Sequence, residues 1–505
     1  MTAIAALAVV SACAFVPAGA SDRIPIGTNV SGMDDWSTEF TFADAFRNSR
    51  PWFSGSASAW QDMRTLELDD HGWVRSLEPG QIARTLMFWD LSQAPGRYPS
   101  GRYVVTYDGQ GTLAYGGSAR LVSRAPGREV IDVDPHRGGG IGLFITATNP
   151  SNHVRSLRVA IPDTDADDRF HPSFVDRIGR YRVIRFMNWM LGQNNNNIMQ
   201  THWAERPTPE DAQWSHRGVP VEIMVELANQ MQADPWFTIP HLADDDYVRH
   251  FAETVAELLD PELKVYVEHS NEVWNGGYPQ ALYAQQRGLA LGLSTNPGEA
   301  RVRYHALRSR QIFDIFERAL PRARLVRVLG SHVASTATTT TALTFRDTAA
   351  HVDAIAIAPY FGILPNDLAR VRGMTPEQLM RDLETNSIPS VMNQVRQQVA
   401  IGGRYRLPVI AYEGGQHLVT SGGGSLQGDS ALESLFDAVN RDLRLGPLYS
   451  RYLQAWSDAG GGLFVHYTNC NGYGRFGRFG SLEYIDQQRD QAPKFDALQR
   501  WIEGR

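Results

Sequence analysis

The chain has 505 residues with apolar and charged fractions of 43% and 20%, which speaks against a disordered or fibrous protein. Its formal net charge is −7, Lys264 and Lys494 are its only lysines, and no block of basic residues stands out. Nucleic acid is therefore not an expected partner.

Residues 3–16, AIAALAVVSACAFV, form an apolar run too short to span a bilayer comfortably, and PAGA follows before Ser21. Residues 1–20 read as a signal peptide cleaved near Ala20, so the mature chain is expected to be secreted or periplasmic. A positive leader region is missing, and a buried N-terminal helix is the alternative. Val10 to Cys13 loosely resembles a lipoprotein cleavage box, although the apolar residues after Cys13 argue against an anchor there. Without this segment Cys470 is the only cysteine, and no internal disulfide is expected. No later segment approaches eighteen consecutive apolar residues, so no membrane span is expected.

The mature chain opens on a strand at 24–30, followed by a polar loop with Asp34, Asp35 and Trp36, and residues 40–52 read as a helix up to Pro51. Residues 21–53 are thus assigned to the first strand and helix of a barrel. From 54 to 165 helical periodicity disappears. Short alternating runs such as RYVVTYDG (102–109), REVIDVD (128–134) and IGLFITATN (141–149) recur between turn residues, which implies an inserted β-sandwich. Strand and helix then alternate through 166–505. Strands are expected at 180–190, 233–242, 265–272, 322–333, 351–362, 407–415 and 460–469, and helices at 219–232, 244–259, 278–320, 375–400 and near 494–503. Asn194 to Asn197, Thr338 to Thr341 and Gly422 to Gly424 read as loops. Counting the first strand, eight strands alternate with helices, the pattern of a (β/α)8 TIM barrel.

Two strands end in carboxylates. YVEHSNEVWN (266–275) delivers Glu272, and LPVIAYEGGQHL (407–418) delivers Glu413 with glycines directly behind it. Active sites of such barrels lie at the C-terminal strand ends, and two carboxylates presented there suit glycosidic-bond chemistry. One stays protonated to donate to the departing oxygen while the other stays ionised to attack the anomeric carbon. Two structural glutamates in surface loops are the plain alternative.

Asn271-Glu272 at the end of strand four and Glu413 at the end of strand seven resemble the signature of the retaining glycoside hydrolases of clan A. The resemblance covers the barrel and not the sandwich. It implies Glu272 as acid/base and Glu413 as nucleophile, about 5 Å apart if anomeric configuration is retained. It also implies Asn271 as donor to the sugar 2-hydroxyl, Tyr360 in Ala-Pro-Tyr-Phe as donor to the nucleophile, Arg185 near the nucleophile and His241 lining the first sugar subsite. Each has a structural alternative: a turn cap for Asn271, core packing for Tyr360, an ion pair for Arg185. Trp36, Trp189, Trp203 and Trp274 sit where sugar faces could stack, although any one of them could pack in the core instead. On strand eight Phe464, His466 and Tyr467 stand where clan members commonly have a tryptophan, which makes Tyr467 a further substrate-binding candidate.

His241 with Asp244, Asp245 and Asp246 could hold a metal, but strand one offers Thr28, Asn29 and Ser31 rather than a His-x-His. The three aspartates read as a helix N-terminus, and no metal or cofactor is expected. No G-x-S-x-G elbow or phosphate loop is found. The expectation is a secreted retaining glycosidase cleaving β-linked glycans. A carbohydrate-binding barrel without catalysis and a metal-dependent hydrolase are the rivals.

Overall fold

The computed structural model describes residues 23–89, 97–165, 167–190 and 200–505. The expected signal, Cys13 and the Asn194 to Asn197 run lie outside the described residues.

Eight parallel strands close a barrel: β1 (Ile26–Asn29), β2 (Val183–Arg185), β3 (Asp234–Ile239), β4 (Val265–His269), β5 (Leu325–Gly330), β6 (Ala354–Ile357), β7 (Val409–Ala411) and β8 (Gly461–His466). Successive side chains alternate between the barrel interior and the surrounding helices. Val183, Trp236, Val328, Ala356, Ile410 and Val465 share the interior cluster, whereas Ile184, Phe237, Val267, Ile355 and Ala411 pack outward on the helical layer. The same alternation turns Arg185, Glu268 and Tyr412 inward, so the interior that is apolar lower down becomes charged at its C-terminal end. Gly27 is required by the narrow β1 to β2 approach: a Cβ there would lie 2.7 Å from the Val183 carbonyl oxygen.

Helices Val221–Met231, Asp245–Leu258, Pro297–Ala319, Thr336–Thr344, Ile388–Tyr405, Leu445–Asp458 and Pro493–Ile502 follow β2 to β8 in turn. Asp244 caps the second of these by accepting from the Tyr247 amide, and Asp245 and Asp246 fill its first turn, the N-terminal arrangement that three acidic residues in a row favour.

Between β1 and β2 the chain forms two four-stranded antiparallel sheets. One orders Phe53–Gly55, Ile82–Met87, Ile141–Thr148 and Gly111–Gly117; the other orders Arg155–Ala160, Gly101–Asp108, Arg128–Val133 and Ala119–Ala125. Their facing side chains, among them Tyr103, Leu113, Ile131 and Leu143, share one core that Leu482, Ile485 and Phe495 from the end of the chain complete.

The helix expected at 40–52 does not form. Only the 3-10 turn Ala45–Asn48 is helical. Asp44 bridges to Ala160, and its side chain accepts from the amides of Phe46 and Val159. Phe42 and Phe46 are thereby drawn into different cores, one beneath the barrel helices and one beneath the sheets. The helix joining β1 to β2 is instead Pro172–Ile178, after the two sheets.

Candidate active site

Arg185 is the centre of the barrel's upper interior. Its side chain is fully buried. Nη1 donates to Asn29 Oδ1 at 3.2 Å, and Nη2 donates to Glu268 Oε2 and Asn271 Oδ1, both at 2.9 Å. Nη1 also lies 4.0 Å from Glu413 Oε1, and the guanidinium stands over the Tyr412 ring at 4.9 Å. Glu268 accepts a second bond from the Trp236 indole at 3.0 Å. A buried guanidinium held by charge-assisted bonds to several strands fixes their relative height.

The end of β4 is bent around this anchor. Ser270 and Glu272 both have positive φ, 56° and 46°, a backbone region that disfavours residues with a Cβ and persists only where neighbours hold it. Those neighbours are visible. The Ser270 amide bonds the Ile239 carbonyl at 2.8 Å, Gln280 Nε2 donates to the Asn271 carbonyl at 2.6 Å, and Arg185 takes the Asn271 amide oxygen. With that oxygen engaged inward, the Asn271 NH2 remains as a donor on the other side of the amide.

Glu272 Oε1 accepts from the Tyr412 hydroxyl at 3.2 Å and Oε2 from Asn275 Nδ2 at 2.9 Å. Glu413 Oε2 accepts from the Tyr360 hydroxyl at 3.1 Å. Because Tyr412 immediately precedes Glu413, its bond to Glu272 ties the end of β7 to the end of β4. Burial raises both carboxyl groups above the ordinary glutamate range. Each lies within the other's field, so the two titrate as a pair and not independently. Burial pushes Glu413 up to about 8 against Arg185 and the Tyr360 phenol, which favour its charge, and burial raises Glu272 against the Asn275 amide, the Tyr412 phenol and Arg185, so donors to the charged form surround both groups.

Beside the pair opens a cavity of about 500 Å³. Glu272, Tyr360 and His417 line its inner end, and Trp274, stacked on His332 with centroids 4.3 Å apart, forms one wall. The opposite wall comes from the segment after β6, where Arg370 pairs with Asp382 through two bonds of 2.8 and 3.0 Å.

Arg185, Asn271, Glu272, Tyr360 and Glu413 thus come together, and Tyr467 adjoins them through the Phe479 ring that it shares with Tyr360. His241 is buried after β3 with its ring edge-on to Tyr283 at 5.3 Å. Trp36 is 53% exposed after β1. Trp189 is a correction: it is wholly buried, packed by Phe42, Phe170, Phe174 and Phe186, and offers no face to a sugar. Trp203 likewise packs on Tyr247 and His250. Glu268, Asn29, Asn275, Tyr412 and His332 were not singled out from sequence. Tyr412 carried a usable signal, being a polar residue at an inward position of a strand already identified.

The chain matches no family model and no curated protein. Its structural neighbours are clan A glycoside hydrolases. They include a broad-specificity endoglucanase from Clostridium longisporum (11% identity, 65% of this chain, 85% of that chain, TM-score 0.38). A xylanase from Cellvibrio japonicus is 10% identical over 90% of this chain and 97% of its own, with TM-score 0.38. An endo-1,4-β-D-mannanase from Thermotoga petrophila is 12% identical over 66% and 94%, with TM-score 0.36. At such identities and scores the roles of individual residues rest on the geometry of the site alone.

Proposed function

We propose that the chain is a retaining glycoside hydrolase that cleaves β-glycosidic bonds of a polysaccharide or oligosaccharide, with Glu272 as acid/base and Glu413 as nucleophile. One observation carries this: a buried Glu413 and a half-buried Glu272 stand at the ends of β7 and β4, joined through Tyr412, with the Tyr360 phenol and Arg185 on Glu413 and the Tyr412 phenol and Asn275 amide on Glu272.

In this reading Glu272 carries the proton and Glu413 the charge when substrate is bound. Glu272 gives its proton to the glycosidic oxygen as Glu413 attacks the anomeric carbon, so the C–O bond breaks and a glycosyl ester of Glu413 forms. Glu272, now a carboxylate, takes a proton from water, whose oxygen attacks the same carbon and frees Glu413. The NH2 of Asn271 suits a sugar hydroxyl at that carbon's neighbour. The cavity adjoins Glu272, so it receives the leaving side of the chain, and its volume falls in the range of ligand sites, roughly 300–1,000 Å³. Polymeric substrates lie outside the cell, and the N-terminal apolar run is the export signal in this scheme.

The test compares wild type with Glu413→Ala on a panel of plant, algal and bacterial polysaccharides. New reducing ends from the wild type alone support a glycosidase, and NMR of the first-formed product should find the β anomer. An α anomer would sink the double displacement. Retention of polysaccharide with no cleavage by either protein would leave a binding barrel.

A further inference from the structure

The sheet containing Phe53–Gly55, Ile82–Met87, Ile141–Thr148 and Gly111–Gly117 has one face in the sandwich core and one face outward. Across the outward face Phe53, Arg84, Phe144 and Ala114 stand in register. This row is built as a platform. The Phe144 ring lies over Gly142 of its own strand and Gly116 of the next, where a Cβ would stand 2.7 and 2.9 Å from it. Trp89 lies against the sheet end in the same way, with Gly117 and Gly139 beneath its ring.

Trp60 completes the platform. The loop bearing it folds back so closely that a Cβ on Gly55 would meet the Trp60 carbonyl at 2.5 Å. Its indole stacks beside Trp89 at 5.9 Å and 27°, and the Arg84 guanidinium sits over the Trp60 ring at 4.7 Å and the Phe144 ring at 5.1 Å. Arg84 thus pins the indole while Trp60 as a whole stays 47% exposed. A pinned aromatic ring left half exposed adds nothing to the sandwich core, and pyranose rings present flat C–H faces that pack on exposed aromatic surfaces.

The platform is also continuous with the barrel mouth. The Trp89 amide donates to the Asp35 carbonyl at 2.7 Å, and the next residue is Trp36, itself 53% exposed in the loop after β1.

We propose that this aromatic face of the sandwich is a second carbohydrate site, which holds the glycan chain outside the catalytic cleft and passes it over Trp36 to the barrel. The inference rests on the glycosidase reading above. It commits to a polymeric neutral glycan, because the exposed rings are indoles and the cations beside them are engaged, Arg84 with the rings and the Ser56 carbonyl and Arg50 with Asp35.

The test uses the full-length protein, wild type, Trp60→Ala and Trp36→Ala, with thermal unfolding to confirm that each variant folds. Two readouts are taken: retention in native gels cast with the polysaccharide that the wild type cleaves, and the ratio of kcat/KM on that polymer to kcat/KM on a short aryl glycoside. Trp60→Ala should lose retention and lower the ratio about five-fold or more, and Trp36→Ala should lower it to a lesser extent. Cleavage by the wild type, with retention and ratio unchanged in Trp60→Ala, overturns the second site and leaves the catalytic reading standing. Neither cleavage nor retention of any polysaccharide by the wild type overturns both. A wild-type dimer that Trp60→Ala converts to a monomer would assign the face to a second copy of this chain, and would also overturn the proposal.

Discussion

The two sides of the barrel mouth are built on opposite terms. On the β1 to β4 side, Asn29, Arg185, Glu268 and Asn271 are buried and bonded to one another across strands. On the β5 to β7 side, a cavity of about 500 Å³ is walled by half-buried rings and by an ion pair whose arginine is exposed. Control of proton position needs dehydrated charges with fixed partners, because electrostatic interactions are strong only where water is excluded. Choice of substrate needs accessible walls that can be exchanged without disturbing those charges. The sealed side, with Glu413 and Tyr360 held against it, therefore sets the chemistry, and the cavity sets what enters.

That division predicts unequal effects. The largest is expected for Arg185→Met, which leaves Glu268 buried beside Glu413 without their common cation. Breaking a buried ion pair by removing one partner costs about 3–5 kcal/mol, so denaturant unfolding should show a loss of that order together with loss of turnover. A loss below about 1 kcal/mol would mean that the sealed side is not the anchor described here.

Glu272→Gln comes next, since it keeps the shape and removes the proton donor. General acid catalysis contributes roughly 10²–10⁴-fold. Glycosides with poor leaving groups should lose about that much, while aryl glycosides whose leaving group needs no proton should lose far less. Equal losses across leaving groups would remove Glu272 from the acid role.

Tyr360→Phe should act through pH. Glu413 must be ionised to attack, so activity falls as pH drops through its pKa. The Tyr360 hydrogen bond lowers that pKa against the burial that raises it. Without the phenol the pKa rises and the acid limb of the kcat/KM profile moves to higher pH. Rates on the acid side should fall by about an order of magnitude, the worth of a hydrogen bond to a charged group, with little change on the alkaline side. An unmoved acid limb would make Tyr360 a packing residue.

The sealed side was less legible in the sequence than the barrel around it. Strand and helix alternation exposes the eight strands, and Glu272 and Glu413 announce themselves by standing where apolar strands end. Glu268 does not, because its partner Arg185 is on β2 and the two meet only once β3 lies between them, with Arg185 level with Trp236 and Trp236 with Tyr266. Such a meeting is a property of barrel closure and register. Trp189 misled for the converse reason. It follows β2 and could face the mouth, but Phe42, brought back beneath the helical layer by the Asp44 turn, closes over it. The spacing of Phe40, Phe42 and Phe46 suits a helix as well as it suits three rings divided between two cores, and only the position of the sheets decides between them.

The smallest effect should come from the open side, and it sharpens the contrast most. Trp274 follows Glu272 by two residues, yet its ring turns away from the charged cluster to stack on His332 and wall the cavity. A stacked aromatic pair contributes about 0.5–1.5 kcal/mol beyond the area it buries. Trp274→Ala should therefore raise KM for oligosaccharides a few-fold while leaving kcat and both limbs of the pH profile in place. Loss of a wall weakens binding of the leaving side, but the Glu272 carboxyl stays in place, because Tyr412 and Asn275 still donate to it. A fall in kcat with a displaced pH profile would mean that Trp274 orients the acid, and the boundary between the side that sets the chemistry and the side that selects substrate would then run through the cavity rather than beside it.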